Sequence, residues 1–194
     1  MRRLLLLGLT LMAWPGAAHA HLMQTGLGGY YDGLTHLLIT PSDLLLVVGL
    51  ALLAGQSGSA CARMLLVGLP LGWLLGGLIG QGLSGEPSLP VLTTVSFTVV
   101  GLLVALQVSF RPRVLAALAL ITGGLHGLVN GATINQGGGQ LTLLGIASGV
   151  FLISVLVSAQ VSVLRVYWIK IALRVCGSWI AAAGLLTLGW LAQS

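Results

Sequence analysis

Charge is what this sequence has least of. Its 194 residues include eight Lys and Arg and three Asp and Glu, so charged side chains make up 6% of the chain, against about a quarter in a soluble domain. That is too few to solvate a globular surface, which excludes a cytosolic enzyme. The 57% share of apolar residues and mean hydropathy of +1.06 exclude a disordered chain as well. The isoelectric point is near 10.0, yet the basic residues are scattered and form no stripe, so nucleic acid is not an expected partner. Cysteine is nearly missing: Cys61 and Cys176 make neither a CxxC pair nor a disulfide framework. No P-loop is present. What remains is a membrane chain that has the lipid bilayer as its solvent.

The amino terminus reads as an address. Arg2 and Arg3 precede a short apolar stretch from Leu4 to Ala13, and Ala18-His19-Ala20 supplies the small-x-small pattern of a cleavage site. The apolar stretch is shorter than the roughly 20 residues that cross a bilayer. Residues 1–20 are therefore expected to be a cleavable signal peptide and 21–194 the membrane domain, with an attached extra helix as the alternative. Cleavage after Ala20 leaves His21 at the mature amino terminus, on the far side of a bacterial inner membrane.

Six apolar segments follow, at 40–55, 65–79, 89–110, 114–131, 141–164 and 168–191. The predicted architecture is an all-α membrane protein, a bundle of about six transmembrane helices. Six basic residues remain beyond the address. Arg63, the pair Arg111 and Arg113, and the group Arg165, Lys170 and Arg174 all fall at alternate connections. The positive-inside rule makes those connections cytoplasmic. The mature amino terminus, the 81–88 and 132–140 loops and the carboxyl terminus are then periplasmic. Asp32 and Glu86 fall on that side, and Asp43 sits near the outer end of the first span.

Glycine is abundant and patterned. Gly68, Gly72, Gly76 and Gly80 recur every four residues on the second span, as do Gly123, Gly127 and Gly131 on the fourth. Such ridges let helix backbones approach closely in lipid. They predict tight packing within one chain, or a homo-oligomer through the glycine-rich faces.

Polar residues within the apolar length carry the chemistry. Asp43 is an acid inside a span, where a charge costs about 2.5–3.5 kcal/mol on insertion scales. Thr40-Pro41-Ser42-Asp43 also matches a capping box, with Thr40 as N-cap and Asp43 at N3, so a capping role and a ligand role both stand. Pro41 disfavours helix at Thr40 and places His36 on a separate short segment. Asp32 lies four residues before His36 and could orient its ring or join it as a ligand. His126 and Asn130 share a face at i,i+4, beside the glycine ridge, and either face an interior cavity or bond to a neighbouring helix. His21 offers an α-amine and an imidazole as a chelating pair. Gln107, Gln160 and Ser148 sit deeper, lining a path or bonding between helices. Imidazole, carboxylate and amide oxygen without thiolate suit a borderline divalent first-row cation. The candidate metal ligands are thus His36, Asp43, His126, Asn130, Asp32 and His21.

At these residues the chain resembles the HupE/UreJ family of small membrane proteins, regarded as nickel and sometimes cobalt permeases. The resemblance runs from Ala18-His19-Ala20 and His21 through Thr25-Gly26-Leu27-Gly28, Asp32-Gly33-Leu34-Thr35-His36 and Leu53-Ala54-Gly55-Gln56. It continues through Gly124-Leu125-His126-Gly127-Leu128-Val129-Asn130-Gly131-Ala132 to the stretch from Val175-Cys176-Gly177 to Gly184. The family's metal motif opens with a His-Pro pair and closes, seven residues after that histidine, with a histidine preceded by an acid. His36 matches the opening, with Leu37 in place of proline. Asp43 holds the place of the closing histidine, and Ser42 that of the acid. His126 matches a His-Gly element, and Asn130 stands where other branches carry a second polar ligand.

The expectation is a non-enzymatic permease for nickel or cobalt, with no tightly bound cofactor and the divalent cation as cargo. The alternatives are a haem-binding electron-transfer subunit using His36 and His126 as axial ligands, and a non-transporting metal-sensing membrane partner.

Overall fold

The structure, a computed structural model, describes residues 25–83, 85, 87–134, 139–163 and 166–193. Residues 1–20, His21, Glu86 and Arg165 lie outside the described residues. Within them the chain is all helical: α1 (Gly29–Ile39), α2 (Pro41–Ser57), α3 (Ser59–Gln81), α4 (Pro90–Ala105), α5 (Pro112–Ile134), α6 (Gly139–Val163) and α7 (Tyr167–Leu191). Four of these, α3, α5, α6 and α7, are long and apolar enough to cross a membrane. The pair α1 and α2 has that character only taken together, with a bend of 78° between its halves. The remaining apolar helix, α4, is shorter.

Local sequence explains the breaks. Thr40 is extended (φ −110°, ψ 91°) because Pro41 crowds a helical conformation in the residue before it, and proline then opens α2 at the position where a missing N–H costs nothing. Gly58, at φ 108°, makes the one-residue hairpin between α2 and α3 in a conformation that a side chain would strain. The third expected span ends early: α4 stops at Ala105, and residues 106–110 form a turn in which Gln107 takes the left-handed region (φ 54°). The second span is longer than expected, so Arg63 lies inside α3 instead of ahead of it.

Helices in lipid gain little from apolar exclusion, so their close approach rests on small residues. The two glycine ridges pack against each other within the chain. A Cβ at Gly72, Gly76 or Gly80 of α3 would land on the carbonyl oxygens of Leu120, Gly124 or Leu128 of α5, and one at Gly127 or Gly131 of α5 on those of Trp73 or Gly77. Those faces are therefore occupied inside one chain. Gly101 and Gly177 join α4 to α7 in the same way, and Gly33 and Gly145 join α1 to α6. Three seams thus surround α2, which packs on α3, α4 and α6 and is buried almost continuously from Leu46 to Gly55.

The connections α2–α3, α4–α5 and α6–α7 meet at one end of the bundle, where Gly58, Ser109 and Val166 line a common cavity. Arg111 lies in one of these connections, and Arg63, Arg113, Lys170 and Arg174 lie in the first turns of the helices that follow them. On α7, exposed Tyr167 and Trp168 mark one end and exposed Trp190 the other. About 33 Å of helix separates the two tryptophans, close to the roughly 30 Å of a bilayer's hydrocarbon core between its two aromatic belts.

The seam makes two neighbouring glycines unequal. A Cβ on Gly124 meets nothing nearer than 3.8 Å, whereas one on Gly127 falls on Trp73 backbone. Gly124→Ala should leave thermal stability in detergent unchanged or slightly raised, and Gly127→Ala should lower it by about 1–3 kcal/mol or more through overpacking. Equal melting temperatures for the two variants would contradict the seam.

Candidate functional site

The bend at Thr40 brings three helices to one carboxylate. Asp43, in the first turn of α2, is 3% exposed, and its charge sits at the positive end of the helix dipole. Its Oδ1 lies 2.7 Å from His126 Nδ1 of α5. Its Oδ2 accepts a hydrogen bond from Asn130 Nδ2, one turn further along α5, at 2.8 Å. His36 Nε2 of α1 stands 3.7 Å from the same oxygen and 3.2 Å from Thr40 Oγ1. Had α1 and α2 been continuous, His36 would have stacked along one helix face. The bend instead swings it over the buried end of α2.

The capping reading of Asp43 is thereby corrected. Thr40 occupies the N-cap position, but no side chain caps the helix. The Thr40 N–H is taken by the His36 carbonyl at 3.1 Å, so Asp43 has no donor to receive there. Its two oxygens face α5 and α1.

His126 is fully buried, and its second nitrogen is engaged too. Nε2 lies 2.9 Å from Ser96 Oγ of α4, and that hydroxyl also reaches the Thr93 carbonyl at 2.7 Å. Ser96 has one hydrogen for these two acceptors. When it donates to Thr93, Nε2 must carry a proton; when it donates to Nε2, the Thr93 carbonyl gives up that bond. The direction of the hydrogen bond at His126 Nε2 is therefore tied to a hydroxyl rotor on another helix. Trp73 of α3 closes the far side, its ring 5.6 Å from the imidazole and tilted by 46°. Trp73 is itself fully buried, and its indole N–H has no hydrogen-bond partner.

Of the six expected ligands, His36, Asp43, His126 and Asn130 are brought together. Asp32 is not: its Oδ1 is held by the backbone N–H and the hydroxyl of Thr25, both at 2.6 Å. His21 lies outside the described residues. Ser96, Thr40 and Trp73 were missed by sequence reasoning. The hydroxyl-rich run Thr93-Thr94-Val95-Ser96 in an apolar helix was the available signal for Ser96; nothing local marked Trp73. Ser148 returns its hydroxyl to the Leu144 carbonyl at 2.8 Å, and Gln160 is exposed, so neither lines the interior.

The donor set of one carboxylate, two imidazoles and an amide is chemically suited to a borderline divalent cation. In this arrangement the groups bond to one another, and among the described residues no three His, Cys, Asp or Glu side chains already surround a metal-sized centre. A cation entering here would compete with the His126 and Asn130 bonds to Asp43. A porphyrin between His36 and His126 would have to displace Asp43, which lies against both rings.

These features define a multi-pass helical membrane protein with a buried His/Asp/Asn cluster. The family described as HupE / UreJ protein matches residues 8–187, nearly the whole chain, and the chain belongs to that family. The family is associated with nickel and cobalt transport and is of a transporter type. No curated protein and no solved structure matches the chain.

The cluster makes Asp43 the acceptor for two buried donors. Asp43→Leu leaves the His126 and Asn130 donors unpaired and should cost on the order of 1–3 kcal/mol for each stranded group. Adding His126→Leu should return part of that loss, because the two groups share one interaction. Chemical or thermal unfolding in detergent measures both, and strictly additive losses would count against the coupling.

Proposed function

We infer that this chain is a permease for a divalent transition-metal cation, nickel first and cobalt second, in a bacterial inner membrane. The observation that carries the reading is the buried Asp43 carboxylate, shared by His126 and Asn130 of α5 and approached by His36 of α1, in a chain of this family. The cation is captured on the periplasmic side by His36 and Asp43. His126 and Asn130 then supply nitrogen and oxygen as it leaves water behind. Asp43 supplies the negative charge that a cation in a low-dielectric bundle requires. His21, freed by removal of residues 1–20, serves as an accessory ligand at the outer surface. The proposed arrangement has six crossings, the broken α1–α2 unit, α3, α4, α5, α6 and α7, with the mature amino terminus on the periplasmic side by the distribution of basic residues. The absence of a P-loop in the sequence fits transport without nucleotide hydrolysis. Membrane potential alone offers about 4.6 kcal/mol per 100 mV to a doubly charged ion moving inward, twice the single-charge value.

Reconstitution with nickel outside the vesicles and a metal-sensitive dye inside tests the reading. His126→Ala and Asp43→Asn should each lower uptake by about 10- to 100-fold at matched protein levels, the range seen when a metal site loses a supporting group. His36→Ala should also lower it. Asp43→His, which restores the residue usual in the family, should retain transport. Full uptake by the Asp43→Asn and His126→Ala variants would remove the site, and metal binding without flux would leave a sensor in place of a permease.

Topology is open to a separate test. Reporters fused after Gly58 or Pro112 should read cytoplasmic, and those after Gly85 or Gly138 periplasmic, as the basic connections require. A periplasmic signal at Pro112 would overturn the six-crossing arrangement.

A further inference from the structure

The cluster around Asp43 occupies one end of α2. At the other end, about 20 Å along the helix, lies a half-enclosed cavity of about 630 Å³. Gln56, Ser57, Gln107, Ser109, Ser162 and Lys170 supply its polar lining, and among the described residues no carboxylate contributes. Gln56 donates Nε2 to the Val108 carbonyl at 3.0 Å, which leaves its Oε1 buried and without a partner. The Ser57 hydroxyl is already committed to the Leu53 carbonyl at 2.7 Å, and the Gln107 amide donates to the Lys170 carbonyl at 3.1 Å. A buried acceptor without a partner at this end is thus a neutral amide oxygen, and the charged residue among the described lining is Lys170.

Between the two ends runs a stripe of α6. Ser158 and Val161 press on Gly55 of α2, so the face that carries 154, 158 and 161, spaced i, i+4, i+7, turns toward α2. Ser154 lies one turn nearer the Asp43 end. It is fully buried and its hydroxyl has no partner, while the Ser158 hydroxyl bonds back to the Ser154 carbonyl at 2.6 Å. An unpaired hydroxyl in a membrane core loses its hydration for nothing, and alanine would fill the same place without that loss.

We propose that Ser154 and the Gln56 cavity form the release half of the cation path, with Ser154 offering an oxygen along the α2–α6 seam and the cavity returning the ion to water. This rests on the permease reading above. Conduction needs binding that is favourable at capture and weak at departure. Capture is built from a carboxylate and two imidazoles. Release has neutral oxygens and Lys170, so an arriving cation meets no fixed negative charge to hold it. The cavity is large enough for a hydrated ion, and Gln56 Oε1 lies unpaired in its wall, where a small side-chain rotation would offer it to water bound to the cation. Charge along α2 thus runs from negative at capture to positive at release, so the cation is held most tightly at the capture end.

The test uses the full chain in proteoliposome assays of nickel uptake, with nickel binding measured in parallel on the detergent-purified protein. Ser154→Ala decides most sharply, because a purely structural serine without a partner predicts unchanged flux and equal or greater stability. The expected result is unchanged nickel affinity, unchanged or higher melting temperature, and uptake lowered severalfold. Gln56→Leu should behave alike in flux. Gln56→Glu should hold more nickel per chain and release it more slowly. Wild-type uptake by both Ser154→Ala and Gln56→Leu overturns the inference while leaving the permease reading intact. Flux and affinity falling in step for Ser154→Ala would move that residue to the capture site and overturn the release assignment. A wild-type chain that binds nickel but moves none fails the permease reading itself, and the inference falls with it.

Discussion

A carboxylate inside a lipid-embedded bundle must be matched by donors, or the helix carrying it is driven toward water. Asp43 is matched by one helix above all: His126 on one oxygen and Asn130 on the other, both from α5. The rest of the architecture follows from the need to bring that helix end close. Asp43 lies in the first turn of α2, where the helix dipole favours negative charge. The 78° bend at Thr40 lets α1 cover the same spot with His36. Ser96 and Trp73 then close His126 from α4 and α3.

Such a cluster needs rigid walls, and glycine supplies them. The α3–α5 seam brings carbonyl oxygens to where side chains would otherwise stand. It fixes the face of α5 that presents His126 and Asn130, because Gly127 and Gly131 adjoin them in sequence and are locked on Trp73 and Gly77. The packing ridge and the chemical stripe are thus two faces of one helix, and a rotation of α5 could not change one without the other. The α1–α6 seam does the same for His36, since Gly33 one turn earlier is held against Thr142.

The two ends of α2 differ in chemistry as well as in charge. At the Asp43 end, Asp43, His126 and Asn130 satisfy one another and are buried, with His36 partly exposed above them. At the Gln56 end the polar groups line an accessible cavity where the α2–α3, α4–α5 and α6–α7 connections meet. This asymmetry gives a central helix of 17 residues a sense of direction that its nearly uniform leucine, valine and alanine content does not express.

The sequence by itself determined that the chain is helical and membrane-embedded, since so little charge and so much apolar length admit no other solvent. It also determined which residues are costly enough in lipid to need a reason: Asp43, His126 and Asn130 stand out as a carboxylate, an imidazole and an amide within apolar spans. The break at Pro41 was legible, being a local steric effect. Span lengths were not. Hydropathy cannot tell a helix from an apolar turn, so 106–110 read as part of a span and the early turns of α3 did not. What Asp43 does was decided only in three dimensions. A capping box and a buried acceptor share the same four residues, and the choice depended on α5, more than 80 positions away, offering better donors than the Thr40 amide already used by His36. Asp32 was decided the same way, its oxygen taken by Thr25 where helical spacing alone pointed to His36. Local periodicity fixes which groups share a face, whereas only packing fixes which face meets which.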